Sequence, residues 1–188
     1  VKPLFQRMAR ILREAADATG KSARLVTAGD TVEVDKTVIE RLADPLTHMI
    51  RNSVDHGLES PYARLASGKD RVGTITLTAS HRSGRVHITI RDDGAGLNRP
   101  KILALARKKG LVPQDAELSE SEIDALLFLP GFSTAATVSN LSGRGVGLDV
   151  VRTAVAGLGG RISIASTPGQ GSEFTISVPL TLAVMDGM

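Results

Sequence analysis

The sequence predicts an α+β fold: a two-layer sandwich with helices on one face of a mixed, largely antiparallel sheet. Three observations predict it. Two amphipathic helical patterns open the chain, period-two strands follow as a hairpin, and a further helix precedes a second hairpin. A length of 188 residues suits one large domain with an ample core. A long uneven segment, 97–142, separates the two strand-rich halves, and a loop that long in a compact domain points to a functional lid or to disorder.

Each element has its own signal. Residues 3–19 place Phe5, Met8, Ile11, Leu12 and Ala15 at helical spacing, and Thr19-Gly20 ends the run. Arg24–Thr27 and Thr31–Val34 read as short strands around an Ala28-Gly29-Asp30 turn. A helical pattern spans about Asp35 to Gly57, with Pro45 either starting a fresh helix capped by Asp44 or kinking a single one. Polar residues 59–71 form a connection. Thr74–Thr78 and Arg85–Ile90 alternate cleanly and turn at Arg82-Ser83-Gly84. Two helical patterns, 100–109 and 119–128, lie inside the long segment. Gly143–Gly147 opens a helix over 147–157, and a last hairpin joins Arg161–Ile164 to Glu173–Val178 across Pro168–Gly171.

Composition excludes several classes. With 41% apolar and 23% charged residues, the chain is neither disordered nor built to span a membrane, and no signal peptide opens it. The absence of Cys removes disulfides, a thiol nucleophile and a Cys-type zinc site. A net charge of +3 and 3% aromatics, with no Trp, argue against nucleic-acid binding. The expectation is a cytoplasmic domain with no direct membrane insertion.

At about 100° per residue, Leu42, Ala43, Leu46, Met49, Ile50, Ser53 and Val54 share one face of the 42–56 helix. His48, Arg51, Asn52, Asp55 and His56 share the other, without Lys or Glu filler. A solvated face would look similar, but His48 and Asn52 are stacked four residues apart. An amide oxygen suits Mg²⁺, a hard ion that takes further ligands from water and substrate phosphates. Imidazole prefers softer metals, so His48 acts through a bound water or on phosphate rather than as a direct ligand. Asn52 and His48 are thus the candidate metal and catalytic positions. A zinc site on His48 and His56 is discounted, since they lie two turns apart.

Asp92-Asp93-Gly94-Ala95-Gly96 sits where a strong strand stops. A carboxylate there can accept a hydrogen bond from an exocyclic amine such as adenine's, while Gly94 and Gly96 let a ligand approach the backbone. Gly143-Arg144-Gly145-Val146-Gly147-Leu148 precedes a helix, whose N–H groups can cradle phosphate. It is not the dinucleotide fingerprint, because its glycines are spaced too tightly and follow a loop. Gly20-Lys21-Ser22 is not a phosphate loop either, since Ala15 stands where that motif needs its first glycine.

Taken together, these motifs resemble those of the GHKL ATPases, which include histidine kinases, type II topoisomerases, the Hsp90 chaperone and the mismatch-repair MutL proteins. His48–Gly57 resembles the N box, Asp92–Gly96 the G1 box, Phe128–Thr134 the F box and Gly143–Gly147 the G2 box. Gly169–Phe174 resembles the final glycine-threonine block, with Ser172 in the threonine's place. The wording His-x-x-Arg-Asn-x-x-Asp-His-Gly, the run Leu129–Thr134 and the ending Val178–Ala183 resemble chemotaxis histidine kinases most closely within the group.

The resemblance implies the Bergerat fold, in which helices and sheet enclose ATP beneath a mobile lid, here 97–142. It implies that Asn52 holds Mg²⁺ against the triphosphate and that Asp92 takes the adenine amino group. Gly94 and Gly96 would let the base pack close. Gly143, Arg144, Gly145, Val146, Gly147, Leu148 and Ser172 would line the nucleotide, with Arg51, His56 and Lys101 supplying positive or hydrogen-bonding contacts. His48 stands where topoisomerase-type relatives carry a water-activating Glu, and its loss suits a kinase that should not feed water.

The resemblance further implies that residues 5–179 form the ATP-binding kinase domain, with 1–4 a stub of an upstream dimerisation region and 180–188 a stub of a downstream coupling domain. The four histidines, His48, His56, His81 and His87, lack the context of a phosphoacceptor. That histidine is expected on a separate phosphotransfer domain of the same kinase. A coupling protein and chemoreceptors are the expected partners of the full-length protein, with the fragment itself monomeric. The alternatives are a hydrolytic GHKL ATPase of the topoisomerase, Hsp90 or MutL type, which would want a carboxylate at position 48, and a degenerate interaction module.

Overall fold

The computed structural model describes residues 1–132 and 147–180. Gly143, Arg144, Gly145 and Val146, the Ser133-Thr134 end of the F-box-like run, and the chain after Leu180 lie outside the described residues. Among the described residues five strands form one sheet in the order β1-β2-β3-β5-β4. They are β1 (Ala23–Ala28), β2 (Gly73–Arg82), β3 (Arg85–Asp92), β4 (Arg161–Thr167) and β5 (Gly171–Pro179). Among the described residues only β1 and β2 pair in parallel; the other three pairs are antiparallel. The expected mixed, largely antiparallel sheet is therefore present.

The pleat explains the two layers. Ile75, Leu77 and Ala79 on β2, Val86, Ile88 and Ile90 on β3, and Ile176 and Val178 on β5 are buried on one face. Threonines 74, 76, 78, 89 and 175 alternate with them on the opposite face. Three helices cover the apolar face: α1 (Lys2–Thr19), α2 (Lys36–Asn52) and α6 (Leu148–Gly157). The β2–β3 turn places both Ser83 and Gly84 at positive φ, the geometry that matches strand twist in a two-residue hairpin.

α2 is one continuous helix with Pro45 inside it, capped by the Asp35 carboxylate, which accepts from the Thr37 N–H at 2.8 Å. Leu42, Leu46 and Ile50 on it are fully buried, and each such burial contributes about 1.5–3 kcal/mol. The sequence expectation fails at Thr31–Val34, which form no strand. Gly29 O accepts the Val32 N–H, the Val1 ammonium donates to Val32 O at 2.8 Å, and Asp35 N–H donates to Leu180 O. Those partners come from three separate segments, so no ladder forms, while Val32 and Val34 still pack on the core.

Within 97–132, α4 (Arg99–Lys108), α5 (Glu120–Ala125) and a 3₁₀ turn (Leu126–Phe128) build a second small core around Ile102, Ala106, Ile123, Leu126 and Phe132. α5 starts with a reciprocal capping box between Ser119 and Glu122. Arg99 joins this unit to the sheet. Its guanidinium meets both Asp124 carboxylate oxygens at 2.8 and 3.0 Å and donates to Ser166 O at 2.9 Å. No described helix is long and apolar enough to cross a membrane.

Candidate functional site

Strand periodicity brings a charge into the core. Asp92 lies two residues beyond Ile90, so the pleat that buries Val86, Ile88 and Ile90 also points Asp92 inward, where it is 3% exposed. Burial pushes its carboxyl above the usual carboxylate range. Backbone N–H donors from Gly94 (2.9 Å to Oδ1) and Ser172 act against that rise, whereas the Asp93 and Glu59 charges add to it. A buried acid held by main chain, at the end of a strand, suits recognition of a neutral donor better than storage of a charge.

Three main-chain segments converge on this acid. The first is the end of the Asn52 helix. After Asn52 the helix widens into a π turn over Ser53–Gly57, a feature that recurs at functional sites. Lys21 stabilises it by donating to Val54 O and Asp55 O, both at 2.7 Å, and burial lowers its pKa. Gly57 O then accepts the Ala95 N–H at 3.1 Å.

The second segment is the 92–96 turn. A Cβ on Gly94 would lie 1.9 Å from Gly57 O, so only glycine permits this approach. The third is the β4–β5 hairpin. Gly171 has φ +106°, and a Cβ there would lie 1.9 Å from Asp92 O. Ser166 Oγ accepts from Leu97 N–H at 2.8 Å and lies 3.0 Å from Ser172 Oγ, while Gly169 N–H donates to Ala95 O at 2.7 Å. The structure thus brings together Asp92, Gly94, Gly96 and Ser172, with Gly57 at the end of the helix that carries the polar face.

The predicted faces of that helix are both present. Its apolar set is buried from Leu42 to Val54, while His48, Arg51, Asn52 and Asp55 are half-buried and His56 is exposed. His56 Nε2 lies 3.3 Å from Asp55 Oδ2. Gly147 caps the start of α6, with Leu148 its first residue and packed on the core. Lys101 sits in the first turn of α4, giving its N–H to the Asn98 cap and exposing its side chain. A cleft of about 410 Å³ beside Gly96 is lined by Asn98, Arg99, Glu120 and Pro168; Arg99 and Glu120 pair at 3.0 Å, leaving it little uncommitted charge.

Sequence reasoning missed a cationic cluster in the connection 59–71. There α3 (Pro61–Ala66), capped by Ser60, buries Arg64 to 2% exposure. Arg64 donates to Glu59 Oε1 at 2.9 Å, Asp70 O at 2.6 Å, and both Asp93 O and Oδ2 at 3.2 Å. Lys69 donates to Glu59 Oε2 at 2.7 Å, Asp93 O at 3.0 Å and Gly94 O at 2.8 Å. Burial works against the Glu59 carboxylate, but these hydrogen bonds and charges outweigh it and hold its pKa low. Ser60-Pro61 was a legible helix start; the cluster itself had no spacing signal.

The chain is similar to known proteins in both sequence and fold. The family described as histidine kinase-, DNA gyrase B- and HSP90-like ATPase matches residues 41–182. The chemotaxis protein CheA of Cereibacter sphaeroides is 69% identical over all 188 residues, which cover 27% of that protein. CheA of Bacillus subtilis is 46% identical over 98% of this chain and 28% of its own length. The chain thus spans about a quarter of the length of these curated relatives. Among solved structures, the catalytic domain of histidine kinase ThkA has a TM-score of 0.59 at 16% identity, covering 97% of this chain and 94% of that one.

Proposed function

The chain belongs to the histidine kinase-, DNA gyrase B- and HSP90-like ATPase family, and from that premise we propose that it is the Mg-ATP-binding catalytic domain of a cytoplasmic chemotaxis histidine kinase. One observation carries the reading: three main-chain segments, each from a separate motif, close on a single buried carboxylate, Asp92. In this reading the Asp92 carboxylate accepts the adenine amino group, and Gly94 and Gly96 admit the base edge-on. Asn52 and His48, one turn apart on α2, face the triphosphate, with Arg51 and His56 adding donors. Gly147 and the α6 N-terminus, with the glycines before it, receive phosphate oxygens.

The residues fit a magnesium ion that arrives with its nucleotide. Among the described residues no cluster of three His, Cys, Asp or Glu could cage a metal, whereas a single Asn amide suits an ion that keeps water and phosphate ligands. When bound, the ion would neutralise triphosphate charge; the chain's own share is to orient and shield. Phosphoryl transfer rests mainly on positioning and charge neutralisation, which this set provides. His48 in place of a carboxylate base favours transfer to a protein histidine over hydrolysis. The acceptor histidine belongs to a separate phosphotransfer domain, and a coupling protein and chemoreceptors are partners of the longer kinase. The segment 97–142 serves as the lid.

Equilibrium titration with ATP, with and without Mg²⁺, tests the reading on the parent, Asn52→Ala and Asp92→Ala. Asn52→Ala should remove the magnesium-dependent part of the affinity, and Asp92→Ala should remove the preference for adenine. Unchanged titrations in both variants would point instead to a non-catalytic interaction module.

A further inference from the structure

We propose that Lys69, backed by Glu59 and Arg64, is a positioning residue that sets base discrimination by aiming the Gly94 N–H at Asp92. The inference rests on the adenine reading of Asp92 given above. Its physical basis is the planarity of one peptide unit. The Asp93 carbonyl and the Gly94 N–H belong to the same rigid plane and point in opposite directions. Lys69 Nζ and Arg64 both donate to Asp93 O, at 3.0 and 3.2 Å. Fixing that oxygen fixes the N–H on the other edge, which donates to Asp92 Oδ1 at 2.9 Å. The ammonium therefore determines, at one remove, which carboxylate oxygen is committed to main chain and which is left for a base.

The turn needs such a device. The β2–β3 ladder ends at the Ile75–Asp92 pair, and beyond it only the Asp93–Thr74 contacts continue the pairing, at 2.9 and 3.2 Å. Three ammonium donors match three acceptors: Glu59 Oε2, Asp93 O and Gly94 O. Two of those acceptors are consecutive carbonyls flanking the Asp92 turn, an arrangement that a cluster serving stability alone does not need. Glu59 in turn holds Lys69 and Arg64 in place from one carboxylate, at 2.7 and 2.9 Å. Arg64 is a positioning residue of the same kind, but its burial makes its removal a test of folding first.

The test compares the wild-type chain with Lys69→Met and Lys69→Arg, measuring Kd for ATP and for GTP together with the melting temperature. Lys69→Met should weaken ATP binding roughly tenfold, the scale of one well-aligned hydrogen bond, and leave GTP nearly unchanged, so the ATP preference falls by that factor. Lys69→Arg, which can still reach the carbonyls, should recover most of the preference. A Lys69→Met chain that melts lower yet keeps its wild-type ATP preference would overturn the inference and leave a merely structural ion cluster. Should Lys69→Met not fold, Glu59→Gln takes its place: a reduced ATP preference supports the proposal, and an unchanged one overturns it. A wild-type chain with no preference for ATP would instead overturn the adenine reading, and this inference with it.

Discussion

Replacing Gly171 with Ala tests the close approach of the hairpin to Asp92 at its tightest point. The added Cβ would sit 1.9 Å from Asp92 O and 3.0 Å from Asp93 Cα, with φ at +106°, a backbone region L side chains rarely adopt. Ordinary carbon–oxygen contacts exceed 3 Å, so the hairpin must retreat by more than an ångström. Strain of this kind costs about 1–3 kcal/mol. The retreat also pulls Ser172 N–H from Asp92 and Gly169 N–H from Ala95 O, each bond contributing about 1 kcal/mol net. Together the loss is about 3–5 kcal/mol. Urea unfolding should show the midpoint falling by roughly 1.5–2.5 M at an m-value near 2 kcal/mol/M. ATP affinity should fall in parallel, because Asp92 loses one of its N–H donors. A midpoint within about 0.3 M of wild type, with affinity intact, would refute the claim that this glycine is required by contact.

Two further outcomes follow from the same contacts. Arg99 and Asp124 form a largely buried two-pronged pair, so Arg99→Met and Asp124→Leu should each cost about 3 kcal/mol while the double variant costs well under their sum; additive losses in urea unfolding would show the pair uncoupled. Asp92 has a folded pKa above its unfolded value, so the native state binds that proton more tightly, and wild-type stability is lost as pH rises from about 4 through the raised pKa. Asp92→Asn lacks this slope and should gain on wild type over that window, then run parallel above it; unfolding titrations that diverge the other way would contradict the assigned direction.

Much of the site was legible because it obeys periodicity. The 3.6-residue wheel separated the buried Leu42–Ile50 set from His48 and Asn52, and the π turn begins only after Asn52; within it Val54 stays buried and Asp55 half-buried, so the two faces carry through. The period of two could also have flagged Asp92 as an acid on the core-facing side of β3. What could not be read depends on tertiary partners. Thr31–Val34 has strand composition, yet Val32 bonds to Val1 and Gly29, and the adjoining Asp35 N–H to Leu180 O, rather than to a neighbouring strand. Glu59, Arg64 and Lys69 look like an ordinary polar connection, since capping of distant carbonyls leaves no mark in local spacing.

The contacts at Gly94 and Gly171 leave the floor of the Asp92 site without replaceable parts. Backbone rests on backbone there, and an exchange of residue types has nothing to swap without prising the layers apart. Asp92 itself aside, retuning the selectivity of this site, in the laboratory or by natural drift, must therefore work from behind, through side chains that press on the floor without lining it.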